Sequence, residues 1–248
     1  METMERMERM ELEEHNGGGS SIELWLAERE DPGLDTQLRR EVRDELEWEP
    51  GLDPTGIDVQ VRDRAVTLRG TVRCYPEKVA ALQAAGRVPR VCALIDEIVV
   101  DLPSSHVRPD KALLEEAVRV LSWDAQVPRE HLRVSVHGGY VAVEGWVEWD
   151  HQRIAAEQAL RVLTGVRGIE NRITVRPKWV TAELHPAITA TLRHHRELHT
   201  RHVSFETRHG AVRLWGRVPS LAERSAVEHA VWNVPGVTDV VDELTIER

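Results

Sequence analysis

The sequence predicts an α+β protein of three tandem α-β-β-α-β modules, each a three-stranded mixed sheet with two helices on one face. Three observations predict it. A glycine-marked apolar strand recurs as VTLRGTV at 66–72, VAVEGWV at 141–147 and VRLWGRV at 212–218. The register set by Gly70, Gly145 and Gly216 carries the flanking residues with it, without gaps, in both directions. Within each copy, helical and strand periods follow one another in the same order.

Each module opens with a helix. Leu38, Val42 and Leu46 are spaced to lie on one helical face, as are Leu113, Ala117 and Leu121, and Leu184, Ile188 and Leu192. Period-two alternation then marks a first strand through Ile57, Val59 and Val61; Leu132, Val134 and Val136; and Val203, Phe205 and Thr207. The short turns RDR, HGG and RHG join it to the glycine-marked strand as an antiparallel hairpin. The second helix is alanine-rich, with Ala80, Ala155 and Ala226 in one register position and Ala84, Ala159 and Ala230 in another. A third alternating strand closes the unit. Apolar helix stripes and one apolar sheet face must bury each other, so both helices belong on the same side of the sheet.

The order of elements, the V-x-L-x-G-x-V strand, and the V-P-G-V-x-x-V-x-[DN] passage resemble the BON domain. That passage runs from Val234 to Asp242, with Asn171 and Asp96 at the matching final position. The three copies cover 35–102, 108–176 and 179–248. Copy one departs where Arg90 replaces the glycine found at Gly165 and Gly236, which puts a local turn in question. The resemblance implies a non-enzymatic binding module of the kind found in osmotic-stress and envelope proteins, with phospholipid binding the role usually proposed. A cytoplasmic potassium-binding protein also belongs to that family.

Composition fits this reading. Residues 1–34 read as an acidic flexible leader with a short helix near 22–30, and hold 10 acidic and 3 basic side chains, most of the net charge of -10. The remainder is near neutral, with no basic stripe of the kind that counterion release requires, so nucleic acid is a poor partner. No apolar run approaches the ~20 residues of a membrane span. Without a secretory signal at its start, the chain is expected in the cytoplasm, with peripheral attachment to a membrane as the alternative. Cys74 and Cys92 fall at opposite ends of a helix and are expected as free thiols.

No motif of nucleophilic, metalloprotease or nucleotide chemistry is present, so no enzyme activity and no cofactor is expected. Two residue types are enriched. Seven of the 12 histidines lie in the third copy, and RHHRELHTRH, with His194, His195, His199 and His202, has the composition to bind Zn²⁺ or Ni²⁺ or to respond to pH. Its register places it in a helix–strand connection, where a solvated polar loop is the other reading. The 8 tryptophans outnumber the 2 tyrosines and 1 phenylalanine. Trp48 and Trp123 share one position, which favours a packing role. Trp146 and Trp215 alternate against buried valines and so point to the open sheet face, with Arg69, Arg213 and Arg217. Something is expected to cover that face: another module, the leader helix, a second chain or a ligand. Protein partners or an anionic phospholipid surface are the leading expectation for a stress-associated adaptor, with ion sensing as the alternative and homo-oligomerisation open.

Overall fold

A computed structural model describes residues 32–178, 184–194 and 202–247. Module one contains α1 (Pro32–Trp48), β1 (Ile57–Arg62), β2 (Ala65–Val72), α2 (Tyr75–Arg87) and β3 (Ala93–Val100). Module two repeats the order with α3 (Asp110–Trp123), β4 (Leu132–His137), β5 (Tyr140–Val147), α4 (Asp150–Arg161) and β6 (Gly168–Val175). Module three does so with α5 (Leu184–His194), β7 (Val203–Arg208), β8 (Ala211–Val218), α6 (Leu221–Trp232) and β9 (Asp239–Ile246). In each sheet the glycine-marked strand is central, antiparallel to the strand before it and parallel to the strand after it.

The helix-one stripes are buried in all three copies and face the apolar side of their sheets. In helix two the expected register holds in part: Ala84, Ala155 and Ala230 are buried, and the neighbouring face is buried with them. The fully buried positions are Ala81, Ala84 and Ala85 in α2, Ala156 and Leu160 in α4, and Val227 and Val231 in α6, whereas Ala80 is half-buried and Ala226 exposed. Runs such as AALQAAG are alanine on two adjacent faces, so composition alone does not select which one meets the sheet.

The repeated motif has a physical cause at each fixed position. Gly70, Gly145 and Gly216 hold φ of 138°, 136° and 132°. A Cβ there would overlap the backbone carbonyl of Gly56, His131 or His202 on the neighbouring segment, so no side chain fits. The terminal Asp or Asn of the second motif forms a local turn. Oδ1 of Asp96, Asn171 and Asp242 accepts the N–H of Ile98 (3.0 Å), Ile173 (3.2 Å) and Leu244 (2.8 Å). Helix two is tied to the same residue: Lys78 pairs with Asp96 at 2.8 Å, Arg224 with Asp242 at 2.7 Å, and Asn171 donates to the Arg153 carbonyl at 3.1 Å.

The hairpin turns are two residues long with both at positive φ: Asp63 and Arg64, Gly138 and Gly139, His209 and Gly210. This is the geometry that suits the twist of paired strands. Arg90 adopts φ 71° where Gly165 and Gly236 adopt 106° and 96°, so the turn survives without its glycine. Its Nη2 donates to both oxygens of Glu41, at 2.8 and 3.0 Å, and its carbonyl accepts from Arg64 Nε at 2.8 Å.

The three modules meet pairwise. Tyr75, at the start of α2, packs on the cores of modules one and two, and Arg167 of module two donates to the Val100 carbonyl of module one at 3.3 Å. Leu221, at the equivalent start of α6, packs on the core of module one, and Arg64 donates to the Glu247 carbonyl at 3.1 Å. Between modules two and three, Trp232 at the end of α6 packs on both cores with the Arg153 guanidinium 5.2 Å from its ring centroid. All three pairs of modules are thus in contact, so the three close into a ring. Modules of this size are marginal alone, so these joints add burial that a single copy lacks.

Candidate functional site

The open faces of the sheets are built by the residues that alternate against the core. On β8, Arg213, Trp215 and Arg217 stand at successive alternate positions and share that face, as the spacing predicts. Arg69 lies on the sheet of module one and Trp146 on that of module two, so the five residues do not form one site.

Most of the charge on these faces is internally matched. Arg213 pairs with Glu243 at 2.7 Å, Arg69 with Glu97 at 3.9 Å, and Arg172 with Glu144 at 2.8 Å and Glu170 at 2.7 Å. The carboxylates bonded to Arg172 and Arg213 hold both guanidinium groups further above their ordinary range. Such exposed pairs contribute little stability, but they satisfy the arginines in place and leave the faces close to neutral.

The tryptophans behave differently from one another. The ring of Trp146 stacks on His131 of its own module, with centroids 3.8 Å apart and planes inclined by 16°. His131 sits in the short turn Arg129–His131 ahead of β4, beside the position where Gly145 leaves room. Trp215 remains 40% exposed.

Trp48 and Trp123, expected to pack because they recur, are 84% and 81% exposed. Each ends helix one of its module, two residues past the last buried leucine. Two large bare indoles at equivalent points of neighbouring modules are the most exposed large hydrophobic side chains of the described residues, and a folded domain gains nothing from them.

Of the histidine cluster, His195 and His199 lie outside the described residues. His194 is the last residue of α5, and His202 is exposed just before β7. Among the described residues no group of three or more His, Cys, Asp or Glu is placed to hold a metal ion. Cys74 and Cys92 are free, at the start of α2 and just before β3, and burial pushes the Cys74 thiol above its ordinary value.

One feature escaped the reading of the sequence. Tyr75 and Tyr140 line a single cleft at the joint of modules one and two. Burial, and after it the Glu157 carboxylate of module two, raises the Tyr75 phenol above its ordinary value. The available signal was that the chain has only two tyrosines and that neither position is aromatic in the other modules.

The BON domain family model matches residues 34–101, 109–177 and 181–248. The chain is 27% identical over 141 residues to osmotically-inducible protein Y of Escherichia coli K12, covering 55% of this chain and 70% of that protein. Among solved structures it is similar to the C-terminal domain of CdsD, a structural protein of the type III secretion system of Chlamydia trachomatis. That match has 14% identity over 85% of this chain and 98% of the other, with a TM-score of 0.24. A second CdsD structure gives 13% identity, 85% and 92% coverage and the same score. At that score the likeness speaks neither for nor against the way the modules are arranged.

Proposed function

The chain belongs to the BON domain family, and from that premise we propose that it is a non-enzymatic, stress-associated binding protein that contacts partner proteins through Trp48 and Trp123. The observation that carries this reading is the exposure of the two indoles at 84% and 81% at equivalent positions. Tryptophan is the side chain most enriched at the centres of protein interfaces. Two of them on one chain present a two-point contact, which raises avidity when a partner reaches both.

The stress association is carried by similarity to osmotically-inducible protein Y. Charge favours proteins over anionic lipid. The chain carries a formal charge of -10, and Trp48 is flanked in sequence by Glu47 and Glu49, which anionic headgroups repel. No helix among the described residues is long and apolar enough to cross a membrane. The two free thiols are compatible with a reducing compartment, and a cytoplasmic location is part of the proposal.

A photo-crosslinking amino acid at position 48 or 123, introduced in cells held at raised osmolarity, tests the proposal. Discrete protein adducts from both positions, and none from exposed position 119 on the same helix as Trp123, would support it. Adducts to lipid alone, or none at either position, would contradict it.

A further inference from the structure

The cleft between modules one and two has a volume of about 420 Å³, within the ~300–1,000 Å³ range of small-molecule sites. Its charged groups fall into two classes. Lys78 and Asp96 neutralise each other on its wall, and the pair Arg224 and Asp242 does the same at the matching place in module three, so this bridge belongs to the fold. Glu170 is held by Arg172.

Arg167 differs. Its Nη1 donates to the Val100 carbonyl at 3.3 Å, and among the described residues it has no carboxylate partner. A half-buried guanidinium without a counter-charge is a standing preference for an anion, which it can bind in a planar, two-pronged manner.

The residues that shape the cleft are the ones that the repeat does not require. Tyr75 stands where the other modules have Asp150 and Leu221, Tyr140 where they have Ala65 and Ala211, and Arg167 where they have Cys92 and Thr238. The Tyr140 ring lies across Gly168, its cross-strand neighbour, and a Cβ at 168 would come 2.8 Å from that ring. The other modules carry Ala93 and Asp239 at that position, so module two has a glycine where its tyrosine needs the space.

We propose that this cleft binds a small aromatic carboxylate, with the carboxylate on Arg167 and the ring against Tyr140. Offset aromatic contact and a charge-assisted pair then act on opposite ends of one ligand. The site is separate from Trp48 and Trp123 and does not depend on a protein partner.

Calorimetric titration of the full chain with 4-hydroxybenzoate, and with 4-hydroxybenzamide as its uncharged counterpart, tests this. The carboxylate should saturate one site with a Kd below about 1 mM, and the amide should bind at least about tenfold more weakly. Arg167→Gln and Tyr140→Leu should each lose about tenfold in affinity, while Arg213→Gln in module three should bind as the parent does. Tyr140→Leu leaves the guanidinium in place, so the pair of variants separates loss of the site from loss of the fold. No saturable binding, equal binding of the amide, or parental affinity in either cleft variant would overturn the proposal.

Discussion

The carboxylate of Asp110 accepts the backbone N–H of Gly138 at 2.8 Å, and its second oxygen accepts that of Gly139 at 3.1 Å. The first residue of α3 thereby pins the hairpin turn between β4 and β5. Asp35 in module one does the same to Asp63 and Arg64, at 2.9 and 3.0 Å. Each links the first helix to a strand pair 28 residues further on, so it fixes how the helix lies on the sheet. Asp110→Ala should cost about 1–2 kcal/mol, since charge-assisted hydrogen bonds are lost from a partly solvated turn. Chemical denaturation measures it, and Asp110→Asn, which keeps acceptor capacity, should recover part of the loss.

Gly145→Ala should be far more damaging, at about 4 kcal/mol or failure to fold. The added Cβ meets the His131 carbonyl and must also accept φ of 136°. The stability of the variant by urea titration checks this. A loss below about 1 kcal/mol would mean that the backbone there relaxes, and the glycine of the family motif would need another explanation.

Arg90 tests a competition of effects. A non-glycine residue at φ 71° costs about 1–2 kcal/mol. The part-exposed ion pair with Glu41 returns about 0–1 kcal/mol. Part of the steric relief is offset by the freer unfolded chain that glycine allows. Arg90→Gly should therefore stabilise module one by about 0.5 kcal/mol, while Glu41→Gln alone should destabilise it slightly. A destabilised Arg90→Gly variant would show that the contact with Glu41 outweighs the backbone.

How much of this was legible in the sequence follows from what repeats. Leu38, Val42, Leu46 and their counterparts could be placed because three copies agree on one helical spacing, and the central strand because no side chain fits where its glycine stands. Contacts between modules rest on single residues such as Tyr75, Leu221 and Trp232, and even Tyr75 and Leu221, which share a register position, differ in kind, so neither the ring nor the cleft left a periodic trace. Trp146 was placed on the correct strand, but its partner His131 comes from a turn whose path alternation does not give. Recurrence misled at Trp48 and Trp123, because an indole kept by two copies is equally consistent with a shared core and a shared surface.

The joint between modules one and two should loosen at alkaline pH. Burial raises the folded-state pKa of Tyr75 above its value near 10 in the unfolded chain. Its contribution is therefore complete below about pH 10 and is lost as pH climbs from there through the folded value. Urea midpoints compared at about pH 9 and about pH 11 should fall less for Tyr75→Phe than for the parent. An equal fall in both would remove Tyr75 as a source of the pH dependence.

The double variant Trp48→Ala/Trp123→Ala bears most directly on the claim that repeated residues build the fold while these two indoles face a partner. At 84% and 81% exposure, their loss should change stability by no more than about 0.5 kcal/mol, as for other surface positions. Tryptophans packed in a core would cost about 3–5 kcal/mol each. An unchanged denaturation midpoint is the predicted result. A loss of about 3 kcal/mol or more would show that the indoles are structural and would contradict the account.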